Sequence, residues 1–213
     1  GELVETLGDP KTTNVDVLAV ARTYGLSEEF PPEVQAVARN APSSVSEKEI
    51  VNREDFRGDP IVTVDSADAK DLDDAICVKR RGNEFVLFVH IADVSYYVKE
   101  RSAVDKEALK RGTSVYFPGC VFPMLPRELS NGICSLNPQE DRLTLSCVMN
   151  VDRRGRITAS RIVKGVIKTL KRMDYDTVAA IVEGDEKARA EHSDVCEMLD
   201  AAKELAEILH DIR

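Results

Sequence analysis

Up to about residue 58 the apolar positions recur at helical spacing. Val17, Leu18, Ala21 and Tyr24 predict a helix capped by Asn14 and ended by Gly25. Pro31-Pro32 opens a second, through Val34, Val37 and Ala38, and Pro42 stops it. Ser46-Glu-Lys-Glu49 has the form of a capping box and predicts a short third helix. Beyond Gly58-Asp-Pro60 the apolar residues gather in short β-branched runs. Ile61, Val62 and Val64, then Ala75, Ile76 and Val78, predict two strands flanking a polar stretch. Ala75 to Arg80 and Glu84 to Ala92 form a hairpin turning at Arg81-Gly82-Asn83. Phe85 to Ala92 is apolar almost throughout and reads as a central strand buried on both faces. His90 within it is a core histidine. Asp93 ends it, either as a polar terminus or as a support for the acidic stretch.

Ser102 caps a helix to Arg111 with Val104, Ala108 and Leu109 inward, followed by Gly112. Ser114 to Phe117 is extended, and Gly119 to Arg127 is an ordered loop leading to a short helix at Glu128 to Gly132. Arg142 to Val151 and Arg156 to Leu170 form a long hairpin turning at Asp152-Arg-Arg-Gly155. Asp174 opens a helix carrying Tyr175, Val178 and Ile181. From Asp185 to Arg213 the chain is helical, with Val195, Leu199, Ala202, Leu205, Ala206 and Leu209 in one stripe. Little else in the chain is left to cover that stripe, which makes it a surface for self-association. The fold class is α+β: a mixed, largely antiparallel twisted sheet (59–213) with surrounding helices, preceded by a short helical connector (14–58). Residues 1–13 read as the end of a strand and a linker, or as an appended tail.

A chain of 213 residues, 43% apolar and 31% charged, is a globular protein of one or two domains. No apolar run approaches the length of a membrane span and no leader opens the chain, so a cytoplasmic protein without a membrane partner is expected. Five cysteines without C-x-x-C spacing imply reduced, mostly buried thiols, not a disulfide frame or zinc ligands. Three histidines make a His-rich metal site a poor expectation. The net charge of -9 argues against a free-standing nucleic-acid binder. It leaves open an enzyme whose acidic site is offset by metal.

The polar stretch between the first two strands is the chemically unusual one. It holds five aspartates in ten residues, Asp65, Asp68, Asp71, Asp73 and Asp74. Burying like charges together is costly unless a cation neutralises them, and hard cations such as Mg²⁺ take carboxylate oxygens together with phosphate. In an extended segment Asp71 and Asp73 point one way and Asp74 the other, so a bend is needed to bring Asp74 round. One or two ions gripped by Asp65, Asp71 and Asp74 would leave Asp73 for a water. The plainer reading is a solvated acidic loop. An EF-hand does not fit, since the aspartates do not alternate and no glycine follows at the sixth position.

Asp65 followed by Asp71-Leu-Asp73-Asp74-Ala75 resembles the signature of the ribonuclease II and ribonuclease R family, the RNB-domain exoribonucleases, and its ribonuclease R branch most. His90-Ile-Ala-Asp93-Val-Ser95-Tyr-Tyr97, Arg111-Gly-Thr-Ser-Val-Tyr116-Phe-Pro, Pro123 to Ser130 and Cys134-Ser-Leu-Asn-Pro138 follow in that family's order. The resemblance implies a 3′-to-5′ exoribonuclease acting on single-stranded RNA and releasing nucleoside 5′-monophosphates, with no DNA substrate. It implies Mg²⁺ at Asp65, Asp71 and Asp74, with Mn²⁺ as a substitute, and Asp73 as the essential fourth carboxylate. Tyr116 and Tyr175 match RNA-contacting aromatics. Residues 1–9 would be the last edge of a cold-shock barrel. The family's transition-state arginine and its further RNA-binding modules lie downstream of the matching stretch, so the chain is expected to be a fragment with little activity alone. The alternative is a non-catalytic RNA-binding or regulatory relative on the same fold. Arg153, Arg154, Arg156, Lys168, Lys171 and Arg172 are phosphate candidates whose plainer role is a solvated face.

Overall fold

The computed structural model describes residues 5–9 and 15–212; the expected cap at Asn14 and most of the 1–13 stretch lie outside them. The chain folds as two compact units, Gly1–Ala41 with Ser95–Leu129, and Pro42–Val94 with Ser130–Arg213.

The first unit holds α1 (Val15–Thr23) and α2 (Pro32–Arg39). In α1 Ala21 is buried, but Tyr24 lies past the last turn and is 77% exposed, so it is not on the helix's inner face as the spacing predicts. In the second unit α3 (Glu47–Ile50) begins with the expected capping box, in which the Ser46 amide donates to Glu49 Oε2 at 2.7 Å. That unit continues with β1 (Glu54–Asp55), β2 (Val62–Asp65), β3 (Asp74–Arg81) and β4 (Glu84–Ala92). α4 (Val94–Tyr97) follows where the chain passes between units, and α5 (Ala103–Arg111) returns to the first unit. Ser102 caps α5, its hydroxyl accepting from the Asp105 amide at 3.2 Å. Only Val104 of the expected inward set is fully buried; Leu109 is 82% exposed, because the inner face turns through Val104 and Ala108 and leaves Leu109 one position off it. A small hairpin, β5 (Val115–Phe117) with β6 (Cys120–Phe122), completes the unit. Arg111 ties its loops together: the guanidinium stacks 3.7 Å from the Phe30 ring and donates to the Ser27, Glu29 and Pro123 carbonyls.

Past an irregular helical segment, Glu128–Ile133, kinked at Gly132, the second unit resumes with β7 (Asp141–Asp152), β8 (Ile157–Lys168), β9 (Lys171–Asp174), α6 (Tyr175–Glu183), α7 (Glu186–Glu191) and α8 (Ser193–His210). Its sheet runs β1-β8-β7-β4-β3-β2-β9. The interior pairs, β8 with β7, β7 with β4, β4 with β3 and β3 with β2, are antiparallel, and the outer pairs β1–β8 and β2–β9 are parallel. β1 covers β8 at Glu54↔Gly165 and Asp55↔Val166 alone. On its other side β8 needs glycine at the same position: a Cβ on Gly165 would stand 2.7 Å from Ser146 Oγ and 2.8 Å from Thr144 Oγ1, both on β7.

β4 is central, but one face is only partly covered; Ile91 is 48% exposed. The largest correction concerns the last helix. The predicted single helix breaks at His192, and its stripe is not bare. Val195, Met198 and Leu199 pack into the main core with Ile61, Val62, Leu72 and Ile181, while Ala201 and Leu205 pack on Val78, Phe85 and Val151. The helix is turned so that Ala206 is exposed and Ala201 inward. The sheet therefore covers most of the stripe, while Ala206 and Leu209 stay exposed. The cysteines are all unbridged, and burial pushes the Cys77 and Cys134 thiols up to about 12. Among the described residues no helix is long and apolar enough to cross a membrane.

Candidate active site

Asp65 is the last residue of β2 and Asp74 the first of β3, so the aspartates lie on the connector between adjacent strands. Its shape is set by backbone contacts. The Ala69 amide donates to the Ser66 carbonyl at 3.1 Å, closing a turn. Arg172, on β9, reaches that turn and donates to the carbonyls of Ser66 at 3.2 Å and Ala67 at 2.5 Å. Leu72 is fully buried in the main core, which places its neighbours Asp71 and Asp73 on the side away from it. The Leu72 amide donates to the Ser135 hydroxyl at 3.1 Å, and its carbonyl accepts from the Leu136 amide at 2.8 Å. The Ser135 hydroxyl in turn donates to the Lys70 carbonyl at 3.0 Å. Next along, the Ala92 amide of β4 donates to the Asp73 carbonyl at 2.9 Å.

The carboxylates feel one another. Asp73 and Asp74 still meet solvent, but desolvation by the surrounding protein raises Asp73 above the usual carboxylate range, and repulsion from Asp71, Asp74 and Asp65 adds to it. Asp74 is raised by burial and then by Asp65. The structure thus brings Asp65, Asp71, Asp73 and Asp74 into one electrostatic neighbourhood; Asp68 is exposed and contributes to neither shift. A cluster of oxygen donors whose negative charge already holds protons more firmly suits a hard cation. Among the described residues no three His, Cys, Asp or Glu side chains are drawn close enough to enclose a metal. The fit therefore rests on donor chemistry and mutual repulsion.

Behind the connector, Asp93 pairs with Arg53 at 2.7 Å, both side chains 4% exposed. Arg53 also donates to the Thr144 and Gly165 carbonyls at 3.3 Å, so through Arg53 the end of β4 is tied to β7 and β8. Tyr175 opens α6, 60% exposed, directly after Asp174, which pairs in register with Asp65. The Asp174 side chain caps that helix by accepting from the Thr177 amide at 2.9 Å. Tyr116 belongs to the first unit, on β5, and is 62% exposed. Several of the phosphate candidates are paired internally: Arg153 with Glu204, Arg156 with Asp152, Lys168 with Asp141 and Lys171 with Asp194. Ser135, Arg142 and Arg172 are the site's supporting residues that the spacing of charges does not reveal. The first two lie in or near the Cys134-to-Pro138 stretch, the one signal that points to them.

The sequence is 47% identical over 214 residues to ribonuclease R 1 of Lactococcus lactis, 100% of this chain against 26% of that protein. It is 47% identical over 215 residues to ribonuclease R of Thermotoga maritima, 100% of this chain against 30% of the relative. In structure it is similar to Mycoplasma genitalium RNase R in complex with ribose-methylated single-stranded RNA, with a TM-score of 0.89 and 33% identity over 96% of this chain and 32% of that one. The chain thus spans about a third or less of the length of these relatives. The RNB domain family model matches residues 53–213, a span that includes the acidic connector and every strand of the main sheet. The chain belongs to the RNB domain family.

Proposed function

We propose that this chain carries the metal-binding part of an exoribonuclease that degrades single-stranded RNA from its 3′ end to nucleoside 5′-monophosphates. The observation that carries the reading is the shared electrostatic neighbourhood of Asp65, Asp71, Asp73 and Asp74 on one strand connector. The relatives named ribonuclease R and the RNA-bound structural neighbour support RNA as the substrate.

Asp65, Asp71 and Asp74 would hold Mg²⁺, or Mn²⁺ in its place. When bound, the metal supplies positive charge against the scissile phosphate and acidifies a water. Desolvation by the surrounding protein, and then repulsion from Asp71, Asp74 and Asp65, raises the affinity of Asp73 for a proton, which suits it to orient the attacking water and take its proton. Tyr175, exposed at the end of the strand pair that carries Asp65, offers a ring for base stacking, and Tyr116 offers another from its hairpin. The transition-state arginine is assigned to the longer protein, so the 213-residue chain by itself has little activity.

The test is to incubate 3′-labelled RNA with the full-length protein, with and without EDTA. Metal-dependent release of labelled 5′-mononucleotide is expected. Metal-independent RNA binding with no mononucleotide release would overturn the reading.

A further inference from the structure

The stretch Cys134-Ser-Leu-Asn-Pro138 has no carboxylate, aromatic ring or cation to offer a substrate. It nevertheless makes three of the hydrogen bonds that shape the acidic connector: Leu72 amide to Ser135 hydroxyl, Ser135 hydroxyl to Lys70 carbonyl, and Leu136 amide to Leu72 carbonyl. We propose that Ser135 is a positioning residue for the metal-binding aspartates, acting through the backbone of Lys70–Leu72, with Arg142 holding it in place. This rests on the reading of Asp65, Asp71 and Asp74 as metal ligands.

Past the Ser66–Ala69 turn the connector relies on bonds from outside it. Its aspartates are like charges crowded onto one short connector, and their repulsion works to spread it. Around Asp71, what opposes the spreading is the burial of Leu72 and the bridge from Ser135, beside the Ala92 amide on the Asp73 carbonyl. Ser135 Oγ accepts from the residue after Asp71 and donates to the residue before it, so one atom fixes both peptides flanking that side chain. Ser135 is fully buried, so solvent has no route to take over its two bonds. Its proton has one other acceptor in reach, Asn137 Oδ1 at 3.2 Å.

Ser135 is itself held from behind. Arg142, with 3% of its side chain exposed, donates through Nε to the Ser135 carbonyl at 2.7 Å. The rest of its guanidinium is spent on the Asp141 and Gly132 carbonyls, at 2.9 and 3.3 Å, and on Glu140. A buried arginine fully engaged with backbone and one acid is not available to a phosphate. Its place is structural, two bonds away from the aspartates.

The experiment uses the full-length protein. Mn²⁺ binding is followed by the electron paramagnetic resonance of the free ion, alongside the Mg²⁺ dependence of mononucleotide release. Ser135→Ala is expected to weaken Mn²⁺ binding about 10–100-fold, as for loss of a group that orients metal ligands. The Mg²⁺ concentration for half-maximal rate rises by a similar factor, the rate recovers at saturating Mg²⁺, and the KM for RNA stays where it was. Ser135→Thr, which keeps the hydroxyl, restores binding. Leu199→Ala, which opens a cavity under α8, lowers the melting temperature without weakening Mn²⁺. Mn²⁺ binding by Ser135→Ala equal to that of the parent overturns the proposal, as does equal weakening by Leu199→Ala. A parent that binds no Mn²⁺ overturns the metal-site reading and the proposal with it. If the parent binds Mn²⁺ but releases no mononucleotide, the nuclease reading alone fails and the Mn²⁺ comparison decides Ser135.

Discussion

Replacing Asp73 by Asn keeps the side chain's size and its backbone bond to Ala92 while deleting the carboxylate that receives the most repulsion. With Asp73 as the group that orients water, kcat for mononucleotide release should fall about 10²–10⁴-fold, the usual range for losing a general base. RNA affinity in EDTA should be retained, and a filter-binding titration beside single-turnover kinetics checks both. Tyr175→Ala should show the opposite pattern, weakening RNA binding by about 1–3 kcal/mol through lost stacking while metal binding is kept. His90 is a residue of a different kind. It is fully buried, with Nδ1 2.7 Å from Ser146 Oγ and its ring among Phe56 and Phe88. Burial lowers it from 6.5 to about 4, against a weaker opposing pull from Asp59. The unfolded chain therefore binds the extra proton first as pH falls, and stability drops between about pH 6.5 and 4 by about 3 kcal/mol. Urea melts at pH 7 and pH 5 should show this slope in the parent and a shallower one in His90→Gln.

Among the elements, the long hairpin β7–β8 and the hairpin β3–β4 are legible from local pattern, because strict turn residues and β-branched runs mark both ends. The aspartate cluster shows in the sequence as a density of charge, but charge alone reads as a solvated loop; the order of motifs around Asp65 and Asp71-Leu-Asp73-Asp74 is what singles it out. What the pattern does not carry is structure made by distant partners. β1, β6 and β9 are two to four residues long, and β1 and β9 exist through parallel pairing with β8 and β2. Arg172 looks like one more surface cation until β9 is placed beside β2, where it meets the Ser66–Ala67 turn. The last helix shows the same limit: its stripe is visible in the sequence, but the rotation that buries Ala201 and frees Ala206 is set by the sheet beneath. Leu199→Ala should accordingly destabilise the protein by about 2–5 kcal/mol, measured by denaturant melts, as for other buried leucines.

At the scale of the whole molecule the acidic connector sets function against stability. Burial and repulsion raise Asp73 and Asp74, so these two groups make folding less favourable as pH rises through their range, the reverse of His90. Asp74→Asn should raise the melting temperature in EDTA and abolish the further rise that Mg²⁺ gives the parent, both read by calorimetry. β8 presents a second consequence at this scale. From Ile157 to Lys164 its outer side has no pairing strand among the described residues, leaving a ladder of open amides and carbonyls with Ile157 and Ile162 outside. Such a border templates the addition of like strands, and the charges along it, Lys164 and the Arg161–Glu54 pair, discourage it. Concentrated solutions of the 213-residue chain should stay clear at low salt and, once salt screens those charges, develop thioflavin-positive fibrils seeded from that border.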